Sequence, residues 1–268
     1  MLRECLVGYD RILCYSEWAR KIVANTIGEE DSEKRNLDQL PHGIDTSVFF
    51  PRPRARQREM FGHMAVGRPV SIADDELLVG IVATNQARKD WGLGIATCAE
   101  LAKSRKVRIW MHTDVLDRHW SIPYLLADFG LSGNNLISLG QFTDDTMSKL
   151  YSACDVTLGI GLGEGFGYPI FESLACGTPC LHGNYGGAAE HLDEHLKIST
   201  VLNEHWMAKE TYRVEGVYNC YRPVFEPSEW ASRIDCIMDD EMKVSLPTPL
   251  DWNNLWPRWE AWFRGGIA

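Results

Sequence analysis

A glycine-rich segment contains the residue types that could bind a phosphorylated ligand. Gly165, Phe166 and Gly167 follow an apolar run typical of a buried strand, and Pro169 suits the first position of a helix. Glycines let a ligand approach the main chain closely, and the unpaired N–H groups of a helix N-terminus attract its negative charge. The sequence therefore predicts an anion-binding loop that runs into a helix.

Two glutamates flank this loop. Glu164 precedes it, and Glu172 lies about one turn inside the predicted helix. A carboxylate can accept hydrogen bonds from two neighbouring hydroxyl groups, as an acidic residue does with ribose in dinucleotide-binding folds. The arrangement favours a ligand with hydroxyl groups at both ends and phosphate between them. Taken alone, the loop could equally be a flexible turn, because short glycine patterns are common.

Predicted strands and helices alternate around this segment. The predicted strands are 77–84, 107–113, 136–139, 155–160 and 179–182, and the predicted helices are 91–103, 122–129, 144–153, 169–176 and one that begins near Gly187. This alternation predicts a doubly wound, Rossmann-like α/β domain with a mostly parallel sheet. Such sheets bind ligands beyond the carboxyl ends of their strands, here after Thr84, Thr113, Leu139 and Ile160.

Composition excludes several classes of function. The chain has 268 residues, a net charge of -10 and eight cysteines with no C-x-x-C pair. A negative field disfavours nucleic acid as a partner, and apolar surroundings around several cysteines suggest free thiols in a reducing compartment. No signal peptide or membrane span is recognisable. We therefore expect a cytoplasmic globular protein.

The spacing of the two glutamates continues into a longer pattern. Glu164-x7-Glu172 is followed by Ala175-Cys-Gly-Thr-Pro179 and by Gly186-Gly-x-x-Glu190. These residues resemble the signature of retaining GT-B glycosyltransferases of family four, also called glycosyl transferases group 1. The resemblance covers roughly Arg11 to His195, because Pro41–Phe49 is similar to the interdomain linker of that family and Tyr151–Asp155 to the segment before the signature.

The resemblance implies a GT-B C-terminal domain that binds a nucleoside diphosphate sugar as donor substrate, with no further cofactor and no metal. Glu164 would be the catalytic residue that binds the transferred sugar, Glu172 would bind the donor ribose, and Lys89 would bind the diphosphate. The other residues expected at the donor are Gly165, Phe166, Gly167, Tyr168, Arg88, Asn85 and Gln141. Gln141 would lie near the base.

One departure from the family pattern concerns the cations. Thr84 stands where similar enzymes often have an arginine that pairs with the lysine. Arg88 is the hypothetical replacement, reaching round the loop towards the diphosphate. Lys89, Arg88 and the loop N–H groups would then stabilise a departing diphosphate without a divalent metal.

The resemblance also suggests four segments. Residues 1–50 would be a remnant of the acceptor domain with the interdomain linker, 51–75 a linker or surface insertion, 76–210 the donor-binding domain, and 211–268 a helical extension. Within the first segment, Arg11–Tyr15 predicts a strand and Glu17–Thr26 a helix capped by Ser16. We expect most of the acceptor wall to be missing, so that a longer chain or a partner chain supplies it.

Two other patterns have simpler explanations than function. His191 and His195 match the H-x-x-E-H spacing of some zinc peptidases, but a surface helix rich in His and Glu explains it. Trp252, Trp256, Trp259 and Trp262 predict one aromatic helix face, which we expect to pack against the body of the protein. Peripheral membrane contact is the alternative, but few basic residues flank this face.

Three hypotheses for function follow from the sequence. The leading one is a glycosyltransferase, or its donor-binding half, that moves a sugar to an unknown acceptor with retention of anomeric configuration. The second is a non-catalytic binding module or subunit that needs a partner acceptor domain. The third is another GT-B catalyst such as an epimerase or a phosphorylase, although the sequence shows no clear lysine motif for a pyridoxal phosphate site.

Overall fold

The computed structural model describes residues 2–64, 71–133, 135–199, 211–214 and 220–265. Its centre is a six-stranded parallel sheet of β3 (Glu76–Val82), β4 (Lys106–Thr113), β5 (Asn135–Leu139), β6 (Val156–Gly159), β7 (Cys180–Gly183) and β8 (Lys197–Ile198). The strand order is β5-β4-β3-β6-β7-β8. The predicted parallel α/β fold is confirmed. The order reverses between β3 and β6, which is where such sheets bind ligands.

Helices connect these strands at the predicted places. They are α5 (Trp91–Leu101), α6 (Ile122–Asp128), α7 (Asp144–Ala153) and α8 (Tyr168–Ala175). Side-chain caps begin two of them: the Asp90 side chain accepts from the Leu93 N–H, and that of Thr143 accepts from the Thr146 N–H. The helix expected near Gly187 is a single 3₁₀ turn, Ala188–His191.

The N-terminal part is a smaller parallel unit. It contains α1 (Leu2–Leu6), β1 (Arg11–Cys14), α2 (Glu17–Ile27), α3 (Glu29–Lys34) and β2 (Asn36–Gln39). The predicted strand and the helix capped by Ser16 are confirmed, since the Ser16 side chain accepts from the Ala19 N–H. Strand β2 pairs in parallel with β1 and was not predicted, because Asn-Leu-Asp-Gln lacks the β-branched and aromatic residues that favour strands.

The segment 51–75 needs a correction. It was predicted as a linker or surface insertion in place of core, but it contains helix α4 (Arg54–Met64), whose Phe61 is only 2% exposed and packs edge-on against Trp110. The polar sequence misled the prediction because two of its charged side chains face the protein. Arg54 and Arg58 both pair with Asp155.

The C-terminal extension is not purely helical. It contains the antiparallel strands β9 (Thr211–Val214) and β10 (Cys220–Pro223) as well as α9 (Pro227–Asp239) and α10 (Trp252–Phe263). The predicted packing of the tryptophans is confirmed for Trp259, whose Nε1 donates to Pro41 O at 3.0 Å, and for Trp262, whose Nε1 donates to Asp38 Oδ2 at 2.6 Å. Trp256 is 56% exposed and does not share their surroundings.

These contacts join the last helix to the N-terminal part. Main-chain hydrogen bonds also connect the two parts, because Ile44 N donates to Leu250 O and Trp252 N donates to Ile44 O. None of the helices within the described ranges combines the length and the apolar character needed to cross a bilayer.

Candidate active site

A cavity of about 650 Å³ opens at the switch point of the sheet. Its walls come from the carboxyl ends of β3 and β4, from the loops that follow β5 and β6, and from the N-terminal part. The predicted residues that line it are Arg88, Lys89, Gln141, Glu164, Gly165, Phe166, Gly167 and Tyr168. The sequence therefore located most of one continuous surface from segments that are far apart in the chain.

Main-chain hydrogen bonds hold the two principal loops together. Leu162 N donates to Arg88 O at 2.9 Å, and Asp90 N donates to Ile160 O at 2.8 Å. Lys89 and Gly161 form an isolated antiparallel bridge between these bonds. The loop that carries the cations and the glycine-rich loop are thus one rigid assembly, which fixes the side chains of Lys89 and Glu164 relative to each other.

Glu164 contacts two cationic side chains on the wall of this cavity. Its Oε1 accepts from Lys89 Nζ, and its Oε2 lies 3.4 Å from Arg88 Nη1. The carboxylate fits only because Gly161 lies beneath it, since a Cβ at that position would be 2.0 Å from Glu164 Oε1. Burial lowers the pKa of Lys89, while the charge of Glu164 acts in the opposite direction.

Arg88 lies on the cavity wall, and its contact with a diphosphate stays a prediction. Its Nη1 lies 3.3 Å from Gly163 O, and the side chain lines the cavity beside Lys89. Thr84 also lines the cavity but has no charge. Two cations therefore stand next to one carboxylate, which leaves a net positive charge on this wall.

The glycine-rich loop presents unused donors. In the part of the chain that the structure describes, the N–H groups of Gly165, Phe166 and Gly167 donate no hydrogen bond. Gly167 has φ +88° at the start of α8, and a Cβ there would lie 2.9 Å from Ile170 Cδ1, so glycine is required. These N–H groups and the helix N-terminus form a surface that favours an anion.

Glu172 is placed differently from Glu164. It lies on α8, one turn after Tyr168, but does not line the cavity, and its Oε2 accepts from the Tyr151 hydroxyl at 2.9 Å. Burial raises the pKa of Glu172 to about 7, against the lowering effect of the Tyr151 hydrogen bond. The structure does not bring the two glutamates together, so a ribose contact at Glu172 stays a prediction.

The prediction for Asn85 requires a correction. Asn85 is fully buried, its Nδ2 donates to Val115 O and Trp120 O, and its Oδ1 accepts from Trp120 N. Because these bonds use the amide group, Asn85 holds the loop 114–120 and does not face the cavity. The sequence could not separate these roles, since an asparagine after a strand suits either one.

The sequence analysis missed several residues that line the cavity. His42, from the predicted interdomain linker, stacks on Trp259 and contacts the ring of Tyr15 at a centroid distance of 3.9 Å. Burial lowers the pKa of His42. His112 and Asp114 lie at the end of β4. Their position after a parallel strand was the available signal, because the end of that strand was already an expected ligand site.

Glu190 links the two parts of the chain. Its carboxylate accepts from the main-chain N–H groups of Glu17 and Trp18, the first residues of α2. Next to it, a Cβ on Gly187 would lie 2.5 Å from Ser16 Oγ and 2.3 Å from Gly165 O. The motif Gly186-Gly-x-x-Glu190 therefore lets α2 pack directly against the anion-binding loop.

His191 and His195 do not belong to a group of metal-ligating side chains within the described ranges. Nowhere in the described ranges do three or more His, Cys, Asp or Glu side chains group as metal ligands would. His191 packs against Phe171, and His195 is exposed.

The fold of this chain has counterparts among solved structures. A parallel α/β sheet of this order is similar to GT-B glycosyltransferases among solved structures. Sucrose-phosphate synthase from Thermosynechococcus elongatus gives a TM-score of 0.73 at 17% identity, over 98% of this chain and 60% of that one. Anabaena HepE, in complex with UDP and glucose, gives 0.71 at 16% identity, over 98% and 66%.

Sequence comparison points to the same class. Residues 124–202 match the family Glycosyl transferases group 1. The D-inositol 3-phosphate glycosyltransferase of Mycobacteroides abscessus is 26% identical over 70% of this chain and 43% of that protein. A GDP-mannose-dependent mannosyltransferase of Mycolicibacterium smegmatis, which acts on phosphatidylinositol monomannoside, is 28% identical over 68% and 46%. The chain thus spans about half the length of these relatives, and the family match covers residues 124–202.

Proposed function

We propose that this chain binds a nucleoside diphosphate sugar in the cavity and forms the donor half of a retaining glycosyltransferase. One grouping carries the proposal: Lys89 and Arg88 stand beside Glu164, next to the free N–H groups of the glycine-rich loop. Cations and main-chain donors suit a diphosphate, and a carboxylate between them suits the hydroxyl groups of a sugar. The cavity is also large enough for both.

The comparisons are consistent with this ligand class. HepE was solved with UDP and glucose, and the mannosyltransferase relative is described as GDP-mannose-dependent. Each case involves a nucleoside diphosphate and a sugar, as two molecules in the HepE complex and as one molecule in GDP-mannose. We therefore expect this chain to prefer a nucleoside diphosphate sugar over a free sugar or a free phosphate.

Transfer requires charge stabilisation more than a nucleophile. The bond from the anomeric carbon to the diphosphate oxygen breaks, and a bond from an acceptor hydroxyl oxygen forms on the same face of the sugar. The hydroxyl proton leaves with the nucleoside diphosphate. Lys89, Arg88 and the loop N–H groups would stabilise the departing charge, which is the largest contribution expected of such a site. Glu164 would orient the sugar hydroxyl groups.

A binding module without turnover is the second candidate. The chain matches about half the length of each relative, and within the described ranges its N-terminal part contains two parallel strands, β1 and β2. Such a module would grip the donor and need an acceptor wall from elsewhere. A longer form of the chain or a partner chain would then supply transfer.

Calorimetric titration of the purified chain with UDP, GDP, CDP and ADP, and with their common sugar derivatives, tests the proposal. We expect binding of at least one nucleoside diphosphate sugar, and weakening of about 10- to 100-fold in Lys89→Met because a charge-assisted bond to phosphate is lost. Lys103→Met is the control, because Lys103 is an exposed lysine outside the cavity. No binding of any of these compounds would disprove the proposal.

Turnover separates the two candidates. Release of free sugar or its transfer to an added acceptor, followed by product chromatography, is expected for the enzyme and not for the binding module. The anomeric configuration of the product tests retention.

A further inference from the structure

Three side chains form a hydrogen-bonded row at the carboxyl ends of two adjacent strands. Trp110 Nε1 lies 3.0 Å from Ser138 Oγ, and Ser138 Oγ lies 2.9 Å from His112 Nδ1. His112 and Ser138 are paired residues of the parallel strands β4 and β5. The row begins in the core, where Trp110 is fully buried, and ends at the cavity, which His112 lines.

The order of donors in this row fixes the proton on His112. An indole N–H can only donate, so its bond occupies a lone pair of Ser138 Oγ and leaves the hydroxyl proton for another acceptor. His112 Nδ1 is the acceptor within reach. If Nδ1 carried the ring proton, the hydroxyl proton of buried Ser138 would have no partner in the described part of the chain. Ser138 therefore donates to Nδ1, and Nε2 carries the proton.

Nε2 is the nitrogen that remains for a ligand. It has no hydrogen-bond partner among the described residues, and the ring of Phe142 packs 4.9 Å from the His112 ring. Burial lowers the pKa of His112, which favours the neutral form of the ring. His112 thus offers one oriented N–H donor on the wall of a cavity that Gln141 also lines.

We propose that the Nε2–H group of His112 reads the base of the bound nucleotide and selects uracil, with its carbonyl oxygen at C4, over cytosine, and guanine, with its carbonyl oxygen at C6, over adenine. The inference rests on the proposed function, because it concerns the base of the same ligand. Uracil and guanine present a carbonyl acceptor at the position where cytosine and adenine present an amino donor. An amino group there sets donor against donor and leaves both unpaired, which is the costly arrangement.

The wild-type protein allows the first test. Long-range ¹H–¹⁵N correlation spectra of histidine-labelled protein should show His112 with an unprotonated Nδ1 and a protonated Nε2. A protonated Nδ1 in the neutral ring would overturn the inference. This measurement needs no ligand and no variant.

Nucleotide affinities give the second test, within pairs of equal ring size. We expect wild type to prefer UDP over CDP, and GDP over ADP, by about tenfold. His112→Ala should reduce these ratios to near one while a nucleoside diphosphate still binds, and His119→Ala, an exposed histidine outside the cavity, should leave them unchanged. If the preference persists in His112→Ala, or if wild type shows no preference, the inference about the base is wrong while the proposed function still stands.

The positioning role of Ser138 is tested in the same assay. Ser138→Ala should lower the ratios because Nδ1 loses its donor, and Ser138→Thr should retain them because it keeps the hydroxyl. Equal ratios in Ser138→Ala and wild type contradict the hydrogen-bonded row. If wild type binds none of the four nucleotides, the proposed function itself fails, which is a different result from binding without preference.

Discussion

Lys89 and Glu164 form a largely buried ion pair on the wall of the cavity, with Lys89 Nζ donating to Glu164 Oε1. Each of these side chains has about a tenth of its surface exposed. The lysine that would bind a diphosphate is therefore partly neutralised in the absence of ligand. A diphosphate has to compete with Glu164 for Lys89, and a sugar has to compete with Lys89 for Glu164.

The ion pair predicts that a substitution at Glu164 has opposite effects on the affinity for the free nucleotide and on the advantage of the sugar-bearing nucleotide. Glu164→Gln removes a negative charge beside the diphosphate and frees Lys89, so we expect a free nucleoside diphosphate to bind several-fold more tightly. The advantage of the sugar-bearing nucleotide should disappear, and transfer with it. Calorimetry with matched nucleotide and nucleotide-sugar ligands measures both. Weaker binding of the free nucleotide to Glu164→Gln would contradict the competition.

The absence of a side chain at Gly161 leaves room for the Glu164 carboxylate, so a larger residue there should displace it. In Gly161→Ala the new Cβ would lie 2.0 Å from Glu164 Oε1, so Glu164 must leave its place. We expect a loss of about tenfold in affinity for the sugar-bearing nucleotide, comparable to one lost hydrogen bond to a charged group. Gly163→Ala is the matched control, because no atom lies within 4 Å of the Cβ it would introduce. Equal affinities of the two variants would show that Glu164 does not bind the sugar.

The sequence predicted the parts of this molecule that depend on local pattern. The strands around the glycine-rich loop and the helix that Pro169 opens follow from periodicity and motif spacing, whereas the ion pair of Lys89 with Glu164 was not predicted. Helix α4 was not predicted either, because its arginines are neutralised by partners that lie about 100 residues away, such as Asp155.

The errors within the site have a similar origin. Asn85 has the residue type and position of a ligand contact, yet Val115 and Trp120 use its amide group. His42 lines the cavity through tertiary contacts that no local pattern encodes, whereas His112 lies at the end of a strand that was already an expected ligand site. A single sequence shows which groups are able to bind, and the tertiary structure decides which of them remain available.

Glu172 predicts a dependence of stability on pH. Its pKa is raised from an ordinary 4.5 to about 7 in the folded protein, so the folded state holds a proton that the unfolded state releases. This contribution is complete below about pH 4.5 and is lost as the pH rises through about 7. Glu172→Gln should therefore gain about 1–3 kcal/mol over wild type near pH 8 and little near pH 4.5. Urea unfolding at a series of pH values measures the difference.

Tyr151 provides the companion variant. Its hydroxyl hydrogen bond lowers the pKa of Glu172, so Tyr151→Phe should move the midpoint of this pH dependence upward. The Tyr151 hydroxyl remains protonated throughout, because burial raises its pKa. If the stability difference between Glu172→Gln and wild type were constant between about pH 5 and pH 8, the raised pKa would be wrong.

The hydrogen bonds of Glu190 predict that this residue stabilises the packing of the N-terminal part. Its two oxygens accept from the N–H groups of Glu17 and Trp18, while Ser16 accepts from Ala19, so three of the four unpaired donors of α2 are satisfied. Glu190→Ala leaves two of them to water and removes a negative charge from the helix N-terminus. We expect a loss of about 1–2 kcal/mol in the free energy of unfolding.

The same variant should also affect the cavity. Tyr15 lies directly before the Ser16 cap and lines the cavity, so a loosened α2 should weaken nucleotide-sugar binding a few-fold. Glu194→Ala is the control, because Glu194 lies in the same segment but is exposed and pairs only with neighbouring Lys197 among the described ion pairs. Urea unfolding and calorimetry on both variants are required. If they behave alike, Glu190 does not couple the N-terminal part to the site, and the Gly186-Gly-x-x-Glu190 motif serves only the packing of its own turn.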